Sequence, residues 1–534
     1  MSKVHDIVIV GSGPAGVGAA LGLVENRKKP LILDVGHRPG PPPPLDRNFY
    51  DFRKAHDVFD IMIGQDFEGL SNIFNRTNLS PRLTSPLMQY VTRDADRLSP
   101  VRESGFKAVQ SFAMGGLASA WGAGLFRYTD RELAGMPISA AELEPYYDKL
   151  TQEIGIIGCD DDLTPYFGTG RYLLSPLRFS EKSGTLYRRY QRRKKRLNRQ
   201  GIFMGHPRLG VLSEDYNNRS AAARYYNGDS WIPNLPYVYN PAFTLERLIR
   251  RDKVIYQKGF LVTGWQRQAG GIAVQARDLE NDRQVIFKTR KLILAAGTIN
   301  TTRIVLEARK EYDTRLPLLD NPLVQVPLIF PGFFGKRLEK EAFGMGHISM
   351  VFDLKPYDML VQGGILELTS PARAAFYDQF PFPASHNIRL IRLTANAVLV
   401  MFLFFPSCRE NAASLRLTPG GILRLESPPY RLDKRIIRLI AGAFRRLGVV
   451  CSARFIQYSP PGYGIHYAGT IPMKATPNRP YQCDRYGELY GEPGVHLVDG
   501  SVLPEIAAKN LSLTIMANAM RTADALCRRD PQKL

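Results

Sequence analysis

The stretch from His5 to Asn26, HDIVIVGSGPAGVGAALGLVEN, constrains this chain more than any other. An apolar strand pattern runs into Gly11, Gly13 and Gly16, spaced G-x-G-x-x-G. It continues into a helix pattern from about Pro14 to Asn26 and then a second apolar run, PLILDVG. Glycines at these places permit a tight turn, close approach of a pyrophosphate to bare backbone, and close packing of helix on strand. The helix N-terminus adds N–H donors and a partial positive charge for the phosphates. Asp34, at the end of the second run, stands where an acidic side chain accepts from ribose hydroxyls. The pattern predicts a dinucleotide site at the start of a doubly wound sheet, with NAD and FAD both open. The rest of the chain has no second G-x-G-x-x-G and no redox C-x-x-C or C-x4-C. This argues against flavin enzymes that dock NAD in a Rossmann domain of their own and against disulfide reductases.

At 534 residues the chain is too long for one ordinary core and is expected to fold as two interleaved domains or one large two-layer body. Pro39 to Leu45, PGPPPPL, can be neither helix nor central strand and is read as a loop leaving the sheet. Ser139 followed by Glu142 is a capping-box pattern that starts a helix. Lys253 to Trp265 and Gly271 to Thr289 alternate apolar and polar residues and read as strands. KLILAAG, Lys291 to Gly297, reads as a buried strand meeting a glycine, with a helix after it through Leu306. Strands of the nucleotide sheet therefore recur near the start, near 290 and near 495, with other material inserted between them.

Cys159, Cys408, Cys451, Cys483 and Cys527 are odd in number and scattered, so neither a disulfide framework nor a metal site is expected. The first apolar run leads straight into the glycine turn without a signal-peptide pattern ahead of it, and the protein is expected to be cytoplasmic. The net charge of +21 points to an anionic partner, surface or substrate. Much of it sits in Arg188 to Arg199, read first as a solvated helix face. The alternatives are an anionic-lipid or phosphorylated-substrate patch, with nucleic acid least favoured. Ala395 to Phe405, ANAVLVMFLFF, is about half the length of a spanning helix and reads as a buried strand or core helix, with monotopic membrane contact as the alternative. Lys434 to Leu447 collects Ile436, Ile437, Ile440, Phe444 and Leu447 on one helical face, the pattern of a surface helix on a core.

Three further segments resemble the glucose-methanol-choline (GMC) oxidoreductase family. SFAMGGLASAWGAGLFRYT, Ser111 to Thr129, is similar to the family's glycine-rich signature at Gly115, Gly116, Ser119, Trp121 and Gly122. KLILAAGTINTTRIVL resembles its second signature at Ala296 and Gly297, with Asn300, Thr301 and Thr302 departing from the usual residues. GIHYAGTIPM, from Gly464, with GVHLVDGSVLPEIAAKNLSLTIMANAMRTAD, from Gly494, resembles the C-terminal active-site segment over most of its length. The resemblance implies an α/β fold in which a Rossmann-like FAD-binding domain is interleaved with a substrate domain on an antiparallel sheet. The expected division is 1–160, 231–310 and 461–534 for FAD and active site, 161–230 for a cap and 311–460 for substrate.

It also implies oxidation of a CH–OH group, with His466 at the position of the base, Asn510 at that of the partner donating to the substrate oxygen, and Asp499 and Gly500 near the flavin. A histidine suits the base because it titrates near working pH. FAD is expected to be bound non-covalently, since the nearest histidine upstream of the glycine turn, His56, is too distant to match a covalent attachment. His347 and His386 are read as structural. The expected partners are a small-molecule alcohol, with a sugar, cyclitol or glycoside favoured, an unidentified electron acceptor, and peripheral contact with an anionic membrane. The competing readings are a lyase or decarboxylase on the same fold, a membrane-associated enzyme acting on a lipid-linked alcohol, and a basic scaffold that has kept a flavin fold.

Overall fold

The computed structural model describes residues 4–43, 47–70, 81–221, 231–336, 345–367, 382–451 and 455–529. The glycine turn forms as its sequence requires. Strand β1 (Val4–Val10) enters it, helix α1 (Pro14–Glu25) leaves it, and β2 (Leu31–Asp34) lies parallel to β1. On the other side of β1 runs β3 (Arg283–Leu294), also parallel. Ile255–Lys258 extends the sheet beyond β2 and Val495–Leu497 pairs with the end of β3, so every one of these strands is parallel to its neighbours. Parallel strands are buried on both faces, which explains the unbroken apolar runs IVIV and LIL. The strands Phe260–Gln268 and Gly271–Asp278 add an antiparallel meander to the same sheet. KLILAAG is therefore not a separate strand: β3 begins at Arg283 and serves both the meander and the parallel core.

Helix α2 (Ala140–Ile154) starts at the expected capping box, in which Ser139 Oγ accepts from Glu142 N and the Glu142 carboxylate accepts from Ser139 N, each at 3.3 Å. Helix α3 (Thr298–Arg309) follows β3, and α4 (Ser512–Arg529) ends the described chain. Helices α1 and α4 cross at glycine contact. A Cβ on Gly18 would lie 2.5 Å from the Met516 carbonyl oxygen, and one on Gly22 would lie 2.6 Å from that of Met520. The first and last segments of the chain are thus packed as one body around the first core.

A six-stranded sheet faces this body, with all its pairings antiparallel. Its central strands are β4 (Leu323–Ile329), β5 (Ile348–Leu354), β6 (Met359–Glu367) and β7 (Val398–Phe404), flanked by Gln457–Tyr458 and Ile202–Gly205. Ala395 to Phe405 contributes β7. Leu399, Met401 and Leu403 enter a second core under the helix Lys434–Arg446, while Val400, Phe402 and Phe404 face a large cavity. The most apolar run in the sequence is an internal strand, used on both faces, and membrane insertion through it would require unfolding. The basic run becomes two short helices, Glu181–Gln191 and Lys194–Arg199, with Tyr190 and Leu197 turned inward. No helix among the described residues is long and apolar enough to cross a membrane. Residues 44–46 of the proline-rich loop lie outside the described residues.

Candidate active site

Between the two bodies lies a cavity of about 1470 Å3. That exceeds the roughly 300–1,000 Å3 of a pocket for one drug-sized ligand, leaving room for a dinucleotide and a second molecule. Gly11, Gly13, Asp34, Gly116, Trp121, Gly122, Ala296, Gly297, Asp499, Gly500, His466 and Asn510 all line it. Gly16, Gly115 and Ser119 lie behind the wall.

The glycines divide by what a side chain would meet. A Cβ on Gly16 would lie 2.1 Å from the Gly11 carbonyl oxygen, so Gly16 exists for helix-on-strand packing. Gly13, the N-cap of α1, has nothing within reach of such a Cβ except Gly116 Cα at 3.9 Å. Two bare turns therefore face each other across the mouth of α1, whose first turn carries no acidic side chain. This cradle fits an anionic pyrophosphate by the backbone N–H groups and helix polarity it offers. Ser12 ties the parts together by accepting from Gly115 N at 3.1 Å and donating to Asp34. Asp34 also accepts from the Tyr256 hydroxyl at 3.1 Å, and burial pushes its carboxyl up to about 7. Asp499 accepts from Gly297 N and Ser501 N, each at 3.0 Å, and from Thr301 Oγ1. Thr301, one of the positions departing from the family pattern, thus buttresses the aspartate. Burial raises Asp499 too.

His466 enters from the loop after the six-stranded sheet. Ile465, just before it, has φ +56°, a conformation costly for a β-branched residue and tolerated only where the surroundings impose it. They do so through two buried side chains. Asp320 accepts from Gly462 N at 2.5 Å, and the Tyr467 hydroxyl donates to the Gly462 carbonyl at 3.0 Å while accepting from Val109 N at 3.0 Å. His466 Nδ1 lies 2.9 Å from Asn321 Oδ1. The amide of Asn321 cannot turn over without loss, because its Nδ2 donates to the carbonyls of Phe405 at 2.7 Å and Ala507 at 2.9 Å. Its oxygen must therefore accept, Nδ1 must carry the proton, and Nε2 keeps its lone pair on the cavity side. The ring is partly open to the cavity yet enclosed by protein. Burial lowers its pKa to about 4, so the ring does not titrate near working pH as expected of a histidine base and is instead held neutral there.

Asn510 lies against Gly124, where an added Cβ would stand 3.4 Å from its amide. Helix α4 begins at Ser512, so Asn510 sits one residue ahead of its N-cap position. His56 stacks on Phe52 and does not line the cavity; His347 is buried, and His386 is exposed on the outer surface. Asn321, Asp320 and the strained Ile465 escaped the sequence reading. The only trace of the first two is a polar pair between apolar runs ahead of Pro322. Outside this cavity, Cys159 Sγ, Asp161 Oδ2 and His206 Nδ1 lie within 3.9 Å of one another, a grouping no sequence spacing announces.

Comparisons with known proteins bear on the C-terminal segment and on the fold. Residues 453–519, which hold His466 and Asn510, match a family model described as GMC oxidoreductase. A C-glycoside 3-oxidase of Microbacterium trichothecenolyticum is 22% identical, over 97% of this chain and 95% of its own. A 6'''-hydroxyparomomycin C oxidase of Streptomyces lividus is 31% identical over 20% of each. Among solved structures, pyridoxine 4-oxidase from Mesorbium loti superposes with a TM-score of 0.58 at 13% identity, over 98% of this chain and 99% of that one. An FAD-dependent oxidoreductase from Chaetomium thermophilum gives 0.55 at 14%, over 99% and 100%. The family model over the C-terminal active-site segment, a relative aligned over nearly the whole chain and solved structures of the same fold together support the GMC oxidoreductase family for this chain.

Proposed function

We propose that this oxidoreductase binds FAD non-covalently along the glycine cradle and oxidises a secondary or primary CH–OH group of a sugar, cyclitol or glycoside. The observation that carries the reading is the fixed tautomer of His466: a neutral imidazole whose free Nε2 faces the cavity is a base ready to take a hydroxyl proton. Asn510, on the same cavity, donates to the substrate oxygen as negative charge develops there. When bound, the flavin accepts the hydride. Residues 311–460 supply the substrate side and an acceptor of unassigned kind takes the electrons. The sugar-like substrate is supported by the relatives named for oxidation of C-glycosides and of a paromomycin derivative. The test is anaerobic. Purified protein should be yellow, release intact FAD on denaturation, and bleach when mixed with a glycoside. FMN, or no flavin after reconstitution, refutes the cofactor, and no bleaching with any alcohol refutes the chemistry.

A second reading concerns place. The two basic helices abut the helix Lys434–Arg446: Arg189 donates to the Leu447 carbonyl at 2.9 Å and Arg446 to Gln200 Oε1 at 2.7 Å. Arg192, Arg193, Lys195, Arg199, Arg438 and Arg445 are exposed on or beside these elements, near Leu439 at 45% exposure. This supports peripheral binding to an anionic membrane, each cation contributing roughly 1 kcal/mol at most. Pelleting with phosphatidylglycerol vesicles at low salt, lost at high salt, is the expected result; no pelleting at low salt refutes it.

A further inference from the structure

Just beneath the surface on the substrate side of the cavity lies a polar atom with no protein partner among the described residues. Gln362, on β6, is 5% exposed, lines the cavity, and its Oε1 has no hydrogen-bond partner among the described residues. A buried amide oxygen left unmatched costs free energy, which a hydrogen bond from a bound molecule would recover. The register places this one. Gln362 pairs with Phe404 of β7, and the Phe404 ring lies 5.1 Å from that of His466. Directly paired residues of neighbouring strands point to the same face, so Gln362 stands beside Phe404 on the face of the sheet that meets the base.

The sheet is hollowed beside it. Gly364, next along the same face, pairs with Ser349 on one side and Phe402 on the other, and a Cβ there would find no heavy atom nearer than 3.9 Å. Ser349 is itself 4% exposed and lines the cavity. The hollow thus has a polar edge, Gln362 and Ser349, and an apolar edge, Phe402 with Val400 and Leu366. A simple alcohol would leave the polar edge unmatched. A hydroxyl both donates and accepts, so it satisfies a glutamine amide whichever way its end is turned.

We propose that Gln362, with Ser349, forms a hydroxyl-reading subsite that selects a polyhydroxylated ring joined to an apolar or aromatic group, gripping a hydroxyl other than the one oxidised. The proposal rests on the reading that a CH–OH group is oxidised at His466. The probe is a phenolic C-glucoside with its set of monodeoxy analogues, tested on FAD-loaded wild type and Gln362→Leu, with binding followed by flavin fluorescence and turnover by anaerobic bleaching. In wild type, one analogue should bind at least tenfold more weakly than the parent. In Gln362→Leu the parent should weaken by at least tenfold and the preference over that analogue should vanish, while flavin content stays unchanged. Ser349→Ala should lower the same preference by a smaller factor. Bleaching by the parent with equal affinity in wild type and Gln362→Leu overturns the subsite and leaves the oxidation standing. Tight binding that depends on Gln362 without bleaching upholds the subsite and removes the oxidation. No binding of the glucoside to wild type overturns the subsite.

Discussion

The two walls of the cavity are built on different principles. On the nucleotide wall, what matters is mostly backbone: bare glycine turns, a helix N-terminus, and carboxylates held by near neighbours in the fold. On the substrate wall it is side chains on alternate positions of antiparallel strands, each meaningful only through its register with the next strand. Backbone geometry is encoded locally, so a short motif announces it. Register is a long-range property, so the same polar residue reads as nothing until its partners are known.

The largest expected effects separate the two uses of glycine on the first wall. Gly16→Val should fail to fold stably, because its Cβ would collide with the Gly11 carbonyl. Gly13→Val should fold, judged by circular dichroism and melting, yet contain no flavin, because its side chain would fill the space between the two turns. A Gly13→Val protein with a full flavin spectrum would break the contrast.

Next in size, His466→Ala should retain FAD and slow anaerobic flavin reduction by about 10²-fold or more, the worth of a positioned base. An unchanged rate removes His466 from the chemistry. The pH dependence sharpens this. His466 is held neutral down to about pH 4, so the base is present above that value and lost as pH falls through it. The acid limb of flavin reduction should therefore lie well below the ordinary imidazole value of about 6.5. The same depressed value predicts stability present above about pH 6.5 and lost as pH falls from there toward 4, since the unfolded chain takes up the proton first. An acid limb at 6 to 7 in stopped-flow measurements would mean that the ring is solvated in the loaded enzyme.

The substitutions at Asn321 test the coupling between the walls. Asn321→Ala leaves Nδ1 without its acceptor and should slow reduction by about tenfold through loss of the favoured tautomer, with flavin content unchanged. Asn321→Asp places a carboxylate beside the ring, so the acid limb should move upward. It also turns two carbonyls, of Phe405 and Ala507, toward a group that no longer donates, and the melting temperature should fall. An acid limb that stays in place in Asn321→Asp would show that Asn321 is only part of the core. The smallest effect is that of Ser349→Ala, which separates a recognition contact from a bystander on the polar edge of the hollow.

Much was open to reading in the chain itself. G-x-G-x-x-G between strand and helix, Asp34, the capping box at Ser139, and the helix Lys434–Arg446 follow from periodicity and local chemistry, and each forms where the residues place it. His466 and Asn510 were reached only by resemblance, since a lone histidine or asparagine carries no local signature. Ala395 to Phe405 is read correctly as buried, while composition is silent about the division of its faces between a core and the cavity. What the sequence determined alone is what a few adjacent residues can enforce through sterics and hydrogen bonds: turns, caps and amphipathic faces. What only the tertiary structure decided is the tautomer of His466, the hollow at Gly364 and the unmatched amide of Gln362. Each depends on atoms brought together from distant segments, such as His466 and Asn321 or Gln362 and Phe404, and such proximity is set by how sheets and helices pack and not by any span of the chain.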